Sequence, residues 1–76
     1  MHVVYILLMT EAGMEHEVAE EISKIEQVTE AHVTYGEWDV VVRVEIDDLG
    51  RKLDEIVTRI RRTKGVTKSM TLISTG

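Results

Sequence analysis

Two stretches of the chain carry the strongest hydrophobic pattern. From Val3 to Met9 every position is apolar. From Val40 to Ile46, the positions Val40, Val42, Val44 and Ile46 alternate with Val41, Arg43 and Glu45. Short, β-branched runs of this kind predict strands, and these two suit the centre of a sheet. Apolar residues at helical spacing follow each of them. Val18, Ile22 and Ile25 form one stripe and predict a helix over Met14–Ile25, with Glu15 and Glu17 at its positive N-terminal end. Leu49, Leu53, Ile56, Val57 and Ile60 predict a second helix over Asp48–Thr63. Asp47 or Asp48 can cap its start, and Gly65 stands where a left-handed C-terminal residue is expected. Glu20 with Lys24, and Glu55 with Arg59, stand four apart in the favourable direction for helical ion pairs. The remaining segments, Val28–Tyr35 and Val66–Ile73, are threonine-rich and mixed in polarity, as edge strands are.

The same order recurs at a shift of 38 residues. Val28-Thr29 falls on Val66-Thr67, Val18 on Ile56 and Ile22 on Ile60, while Val3-Val4 falls on Val41-Val42 and Leu8 on Ile46. Each match is common by itself, but one register holds across three consecutive elements, the mark of a duplicated unit. Two strand-helix-strand units make βαββαβ. Right-handed crossovers then place both helices on one face of a four-stranded antiparallel sheet, an α+β ferredoxin-like sandwich with the most apolar strands central. Residues 1–76 are expected to be one such domain, with no internal boundary. Two helices cover one face only. Val3, Tyr5, Leu7 and Met9 point opposite to Val4, Ile6 and Leu8, so the first strand has a second apolar row that water would not solvate well.

Size sharpens that point. A domain of 76 residues buries only about 60% of its unfolded surface, and with no cysteine it has no disulfide to stabilise it. Oligomerisation, sheet to sheet, is the expected remedy, as a dimer or higher. The absence of cysteine also fits a reducing, cytoplasmic setting. The opening MHVVYILLM lacks the charge and length of a signal peptide or membrane span, so no membrane association is expected. A formal charge of −5 argues against direct nucleic-acid binding, which needs a basic surface.

Chemistry concentrates in Tyr35-Gly36-Glu37-Trp38-Asp39, which joins the middle strands and holds the only tryptophan. Glycine lets a ligand approach backbone amides, a carboxylate accepts hydrogen bonds from an ammonium, and aromatic rings form a wall. The same residues could instead simply shape a hairpin, with Trp38 packed at its end. His2, His16 and His32 share no metal-ligand spacing. Arg59, Arg61, Arg62 and Lys64 sit at a helix C-terminus, where the dipole favours cations, and the Glu15, Glu17, Glu20 and Glu21 run reads as a solvated helix face. No nucleophile context or phosphate-binding loop is present; neither catalysis nor a cofactor is implied.

The βαββαβ pattern, with VTYGEWDVVVRVEIDDL in the middle and TKGVTKSMTLIS near the end, resembles the domain for regulation of amino-acid metabolism in leucine-responsive/AsnC-type transcription regulators. The similarity covers essentially the whole chain. Its most specific parts are Gly36 and Asp39 with two residues between them in the loop, and Gly65-Val66 with the threonine-rich strand that follows. In such regulators a helix-turn-helix precedes the domain, whereas this sequence starts at the first strand. The resemblance therefore implies a stand-alone sensing and assembly module that could join full-length regulators. It also implies an amino-acid effector site between subunits, with Gly36, Trp38 and Asp39, more loosely Tyr35, and Ser69 and Thr71 from a neighbour's last strand. Asp39 would take the ammonium, and backbone N–H and hydroxyl groups the carboxylate. Two other readings stay open: a small dimeric α+β barrel enzyme of monooxygenase type, and a purely structural assembly subunit.

Overall fold

In the computed structural model, which describes residues 1–76, the elements run β1 (His2–Thr10), α1 (Glu15–Ile22), β2 (Val28–Val33), β3 (Val40–Ile46), α2 (Arg51–Arg61) and β4 (Val66–Ile73). The strands form one antiparallel sheet in the order β2-β3-β1-β4. The two most apolar strands are thus central and the threonine-rich ones lie at the edges. Helix α1 packs against β2 and β3, and α2 against β4. Between sheet and helices, Val4, Ile6 and Leu8 of β1 and the alternate residues Val40, Val42, Val44 and Ile46 of β3 meet Val18, Ile22, Ile56 and Ile60. This core is wholly aliphatic and buries no polar side chain. Each such residue contributes about 1.5–3 kcal/mol relative to exposure. Neither helix is long and apolar enough to cross a membrane.

Both helices are shorter than the spans expected for them, and their C-terminal ends come early for one shared reason. After Ile22 the chain tightens: Ile25 N–H donates to Ile22 O and Val28 N–H to Ile25 O, both at 3.0 Å. At the end of α2, Thr63 N–H donates to Ile60 O at 3.0 Å and Val66 N–H to Thr63 O at 3.2 Å. These bonds lie 38 positions apart, so the duplication extends to the turn that ends each helix. The tightened i to i−3 turn satisfies the last carbonyls. It also carries Ile25 into the core although Ile25 lies outside the helix.

Local structure differs from expectation at four points. Lys24 pairs with Glu21 rather than Glu20, because α1 has already ended, and Glu55 pairs with Lys52 rather than Arg59. The residue that caps α2 by backbone conformation is Gly50, not Asp47 or Asp48. Asp48 still serves the helix start from upstream: its carboxylate accepts from Gly50 N–H at 2.7 Å and from Lys52 N–H at 3.4 Å. Strand β2 stops at Val33 instead of Tyr35, since Thr34 turns inward to close the hairpin. Gly65 is left-handed as expected, at φ +98°.

Candidate functional site

The hairpin between β2 and β3 is held by side chains as much as by backbone. Thr34 N–H donates to Asp39 O at 2.9 Å, and the Thr34 hydroxyl donates to Trp38 O at 2.7 Å. Gly36, at φ +112°, makes the turn that this closure requires, and a Cβ there would meet nothing within 4 Å. Asp39 ties the hairpin to β1. Its N–H donates to Leu8 O at 2.8 Å, and its Oδ2 accepts from Thr10 N–H, also at 2.8 Å. One carboxylate oxygen is therefore committed to the fold. The other, Oδ1, has no partner within the chain and is half-exposed with the residue.

Tyr35, Gly36 and Asp39 share a recess of about 470 Å³ with Val33, Thr34, Glu15 and His16. The helix residues come from topology. Chain direction puts the end of β1, where α1 begins, beside the start of β3, where the hairpin enters. That adjacency was readable in the strand order, yet Glu15 and His16 looked like an exposed helix face. The recess holds two carboxylates and a histidine but no lysine or arginine.

Trp38 is not in this recess. Its ring lies under Lys68, whose Nζ is 5.8 Å from the ring centroid, within range of a cation–π contact. Lys68 in turn lines a groove of about 490 Å³ along β4 and α2, with Arg61, Val57, Val66, Thr67, Ser69 and Thr71. Ser69 sits opposite Leu8 and Thr71 opposite Ile6, so both face the helix side of the sheet. The expected residues thus fall into two places in one chain. One is an acidic recess at the hairpin, the other a groove with two cations and three hydroxyls, and Trp38 abuts the second through Lys68.

On the face away from the helices, Tyr5 and Leu7 of β1 stand beside Leu72 and Met70 of β4. Tyr5, Met70 and Leu72 are 39%, 44% and 47% exposed. No segment of the chain covers this face.

Residues 3–76 match the family model for the Lrp/AsnC ligand binding domain. The chain belongs to the Lrp/AsnC family. An HTH-type transcriptional regulator of Pyrococcus furiosus is 36% identical over 58 residues, which cover 76% of this chain and 39% of that protein. The chain spans about two fifths of the length of the curated Lrp/AsnC relatives it matches. Among solved structures, the crystal structure of FFRP-DM1 is 40% identical with a TM-score of 0.90, covering 97% of this chain and 99% of that one. A Neisseria meningitidis transcriptional regulator solved as a complex with L-Met has the same fold. It is 16% identical with a TM-score of 0.82, covering 99% of this chain and 50% of that one. The ferredoxin-like sandwich is therefore that of an Lrp/AsnC regulatory ligand-binding domain. Each of its helices lies between two strands.

Proposed function

We propose that this domain senses a free α-amino acid, or a close relative, at a site completed only when copies of the chain assemble. The observation that carries this reading is the division of charge. A zwitterion needs an acceptor for its ammonium and donors for its carboxylate. The hairpin recess offers the unpartnered Asp39 Oδ1 and Glu15 without a lysine or arginine, and the β4–α2 groove offers Arg61, Lys68 and the Ser69 and Thr71 hydroxyls without an acid. Bringing one chain's recess to a neighbour's groove supplies both halves. Tyr35, 104% exposed on the isolated chain, and Trp38 would form the apolar wall. An L-Met complex of a regulator with the same fold makes this ligand class reasonable.

Assembly begins, on this reading, with the open sheet faces of two copies packed together. Full-length regulators could join through the same face, and DNA contact would then reside in them. The aliphatic space under the sheet has no convergent polar groups for catalysis, which supports a binding role over a monooxygenase-like one. A purely structural subunit is the competing reading, and the Thr10 bond to Asp39 favours it, because that bond gives Asp39 a task without any ligand.

Calorimetry across the common amino acids separates the two. Binding by at least one of them, weakened about tenfold or more in Asp39→Asn, supports sensing. The amide keeps an oxygen for Thr10 N–H while losing the charge. No binding up to millimolar concentration, or an affinity indifferent to Asp39→Asn, leaves the structural role.

A further inference from the structure

The open sheet face is not uniformly apolar. Its β1–β4 half carries Val3, Tyr5, Leu7, Met70 and Leu72, but in the middle of β3, opposite Tyr5, stands Arg43, paired with Glu45 on the same strand. Both side chains are only about a quarter exposed, 27% and 29%, before any partner is added. The Glu45 hydrogen bond first, and then that of Tyr5, hold the guanidinium above its already high range, so it stays charged.

Within the chain this cluster is half-satisfied. Arg43 Nη1 bonds to Glu45 Oε2 and, at 2.9 Å, to the Thr29 hydroxyl. Thr29 is within reach because the ladder is irregular between Val28 and Glu30. Apart from the Tyr5 hydroxyl beside the guanidinium, the Nη2 and Nε donors of Arg43 and the Oε1 of Glu45 have no further side-chain partner. Covering the face would strand those groups unless the cover supplied an acid for the arginine and a base for the glutamate. A second copy, related by a two-fold axis, presents both at the centre of the same face.

We infer that Arg43 and Glu45 form a self-complementary charge lock, Arg43 of one copy meeting Glu45 of the other, that selects a second copy of this chain as the partner of the open sheet face. This rests on the sheet-to-sheet assembly proposed above. Against a chain with an apolar residue at either position, Arg43 or Glu45 would be buried without its counter-charge, so such a chain is rejected as a partner.

Charge reversal tests the lock. Arg43→Glu and Glu45→Arg chains are purified separately, checked for folding by circular dichroism, and studied alone and mixed by native mass spectrometry. Each alone should dimerise at least about tenfold more weakly than the wild type, and the equimolar mixture should recover heterodimers to near wild-type affinity. An intrachain role would leave the mixture as weak as its components, and that result overturns the inference. A second arm avoids buried charge reversal. The protein has no cysteine of its own, so equimolar Arg43→Cys and Glu45→Cys chains mixed with a short bis-maleimide should yield cross-linked heterodimer well beyond the twofold excess over either homodimer that random pairing gives. Heterodimer at or below that statistical share overturns the lock. A wild type that is monomeric at tens of micromolar removes the sheet-to-sheet reading itself, whereas a dimeric wild type with unresponsive variants removes only the lock.

Discussion

At the residue scale, the glycines of this domain divide into those that only bend backbone and one that also makes room. Gly36 and Gly65 both have positive φ, +112° and +98°, where a Cβ costs about 1–2 kcal/mol. Around Gly36 a Cβ meets open space, but at Gly65 it would lie 3.0 Å from Met14 Cε and 3.0 Å from Val18 Cγ2. Val18 is fixed in the core and Met14 packs against it, so the second site has little slack. Gly65→Ala should therefore lower thermal stability more than Gly36→Ala, by about 2–3 against about 1 kcal/mol, with about 4–8 °C of Tm per kcal/mol. Melting both variants by circular dichroism checks the order. Asp39 calls for a paired comparison in the same assay. Asp39→Ala removes the Thr10 anchor and should cost about 1.5–3 kcal/mol, while Asp39→Asn, which keeps an acceptor, should cost less than half of that.

At the scale of elements, duplication was the most legible property of the sequence. Apolar positions 38 apart located both helices and all four strands, because side-chain periodicity is imposed by the core those elements share. Element ends were less legible, since they are decided by hydrogen bonds with little hydrophobic signature. The tightened turns at Ile25 and Thr63 and the Thr34 closure of the hairpin are of this kind. The candidate site suffered for the same reason. Its residue types pointed to the hairpin, but the Asp39–Thr10 bond, the turning of Trp38 toward Lys68, and the company of Arg61 arise from packing between segments far apart in sequence. The start of α2 offers a test of an end decided this way. Asp48→Ala removes acceptors for Gly50 and Lys52 N–H and should cost about 1 kcal/mol, although Asp48 is exposed. Lys24→Ala, which breaks only an exposed pair, should stay within about 0.5 kcal/mol of the wild type. Comparable losses in the two variants, read by urea titration, would remove the capping role.

At the scale of the whole molecule, the sheet divides two kinds of apolar residue that the sequence of β1 could not tell apart. Val4, Ile6 and Leu8 are fully buried by this chain's own helices, while Tyr5 and Leu7 lie on the face that no segment covers. Charge placed in the two rows should therefore act on different equilibria. In Ile6→Asp the carboxylate would enter a core that holds no polar side chain, and the domain should lose its cooperative fold. Leu7→Asp puts the same charge where the isolated chain leaves it partly open to water, so the helical and sheet signals should persist. The proposed sheet-to-sheet dimer should not form, because the charge would be buried against apolar groups with no base opposite it: Leu7 neighbours Met70 and Val41 in the ladder. Loss of affinity of about a hundredfold or more is expected. Light scattering read beside circular dichroism distinguishes the two equilibria. A Leu7→Asp chain that stays folded and dimeric would show that copies do not pack through this face, and one that unfolds would show that the monomer depends on it. Only a folded monomer agrees with a sheet whose inner row builds the domain and whose outer row builds the assembly.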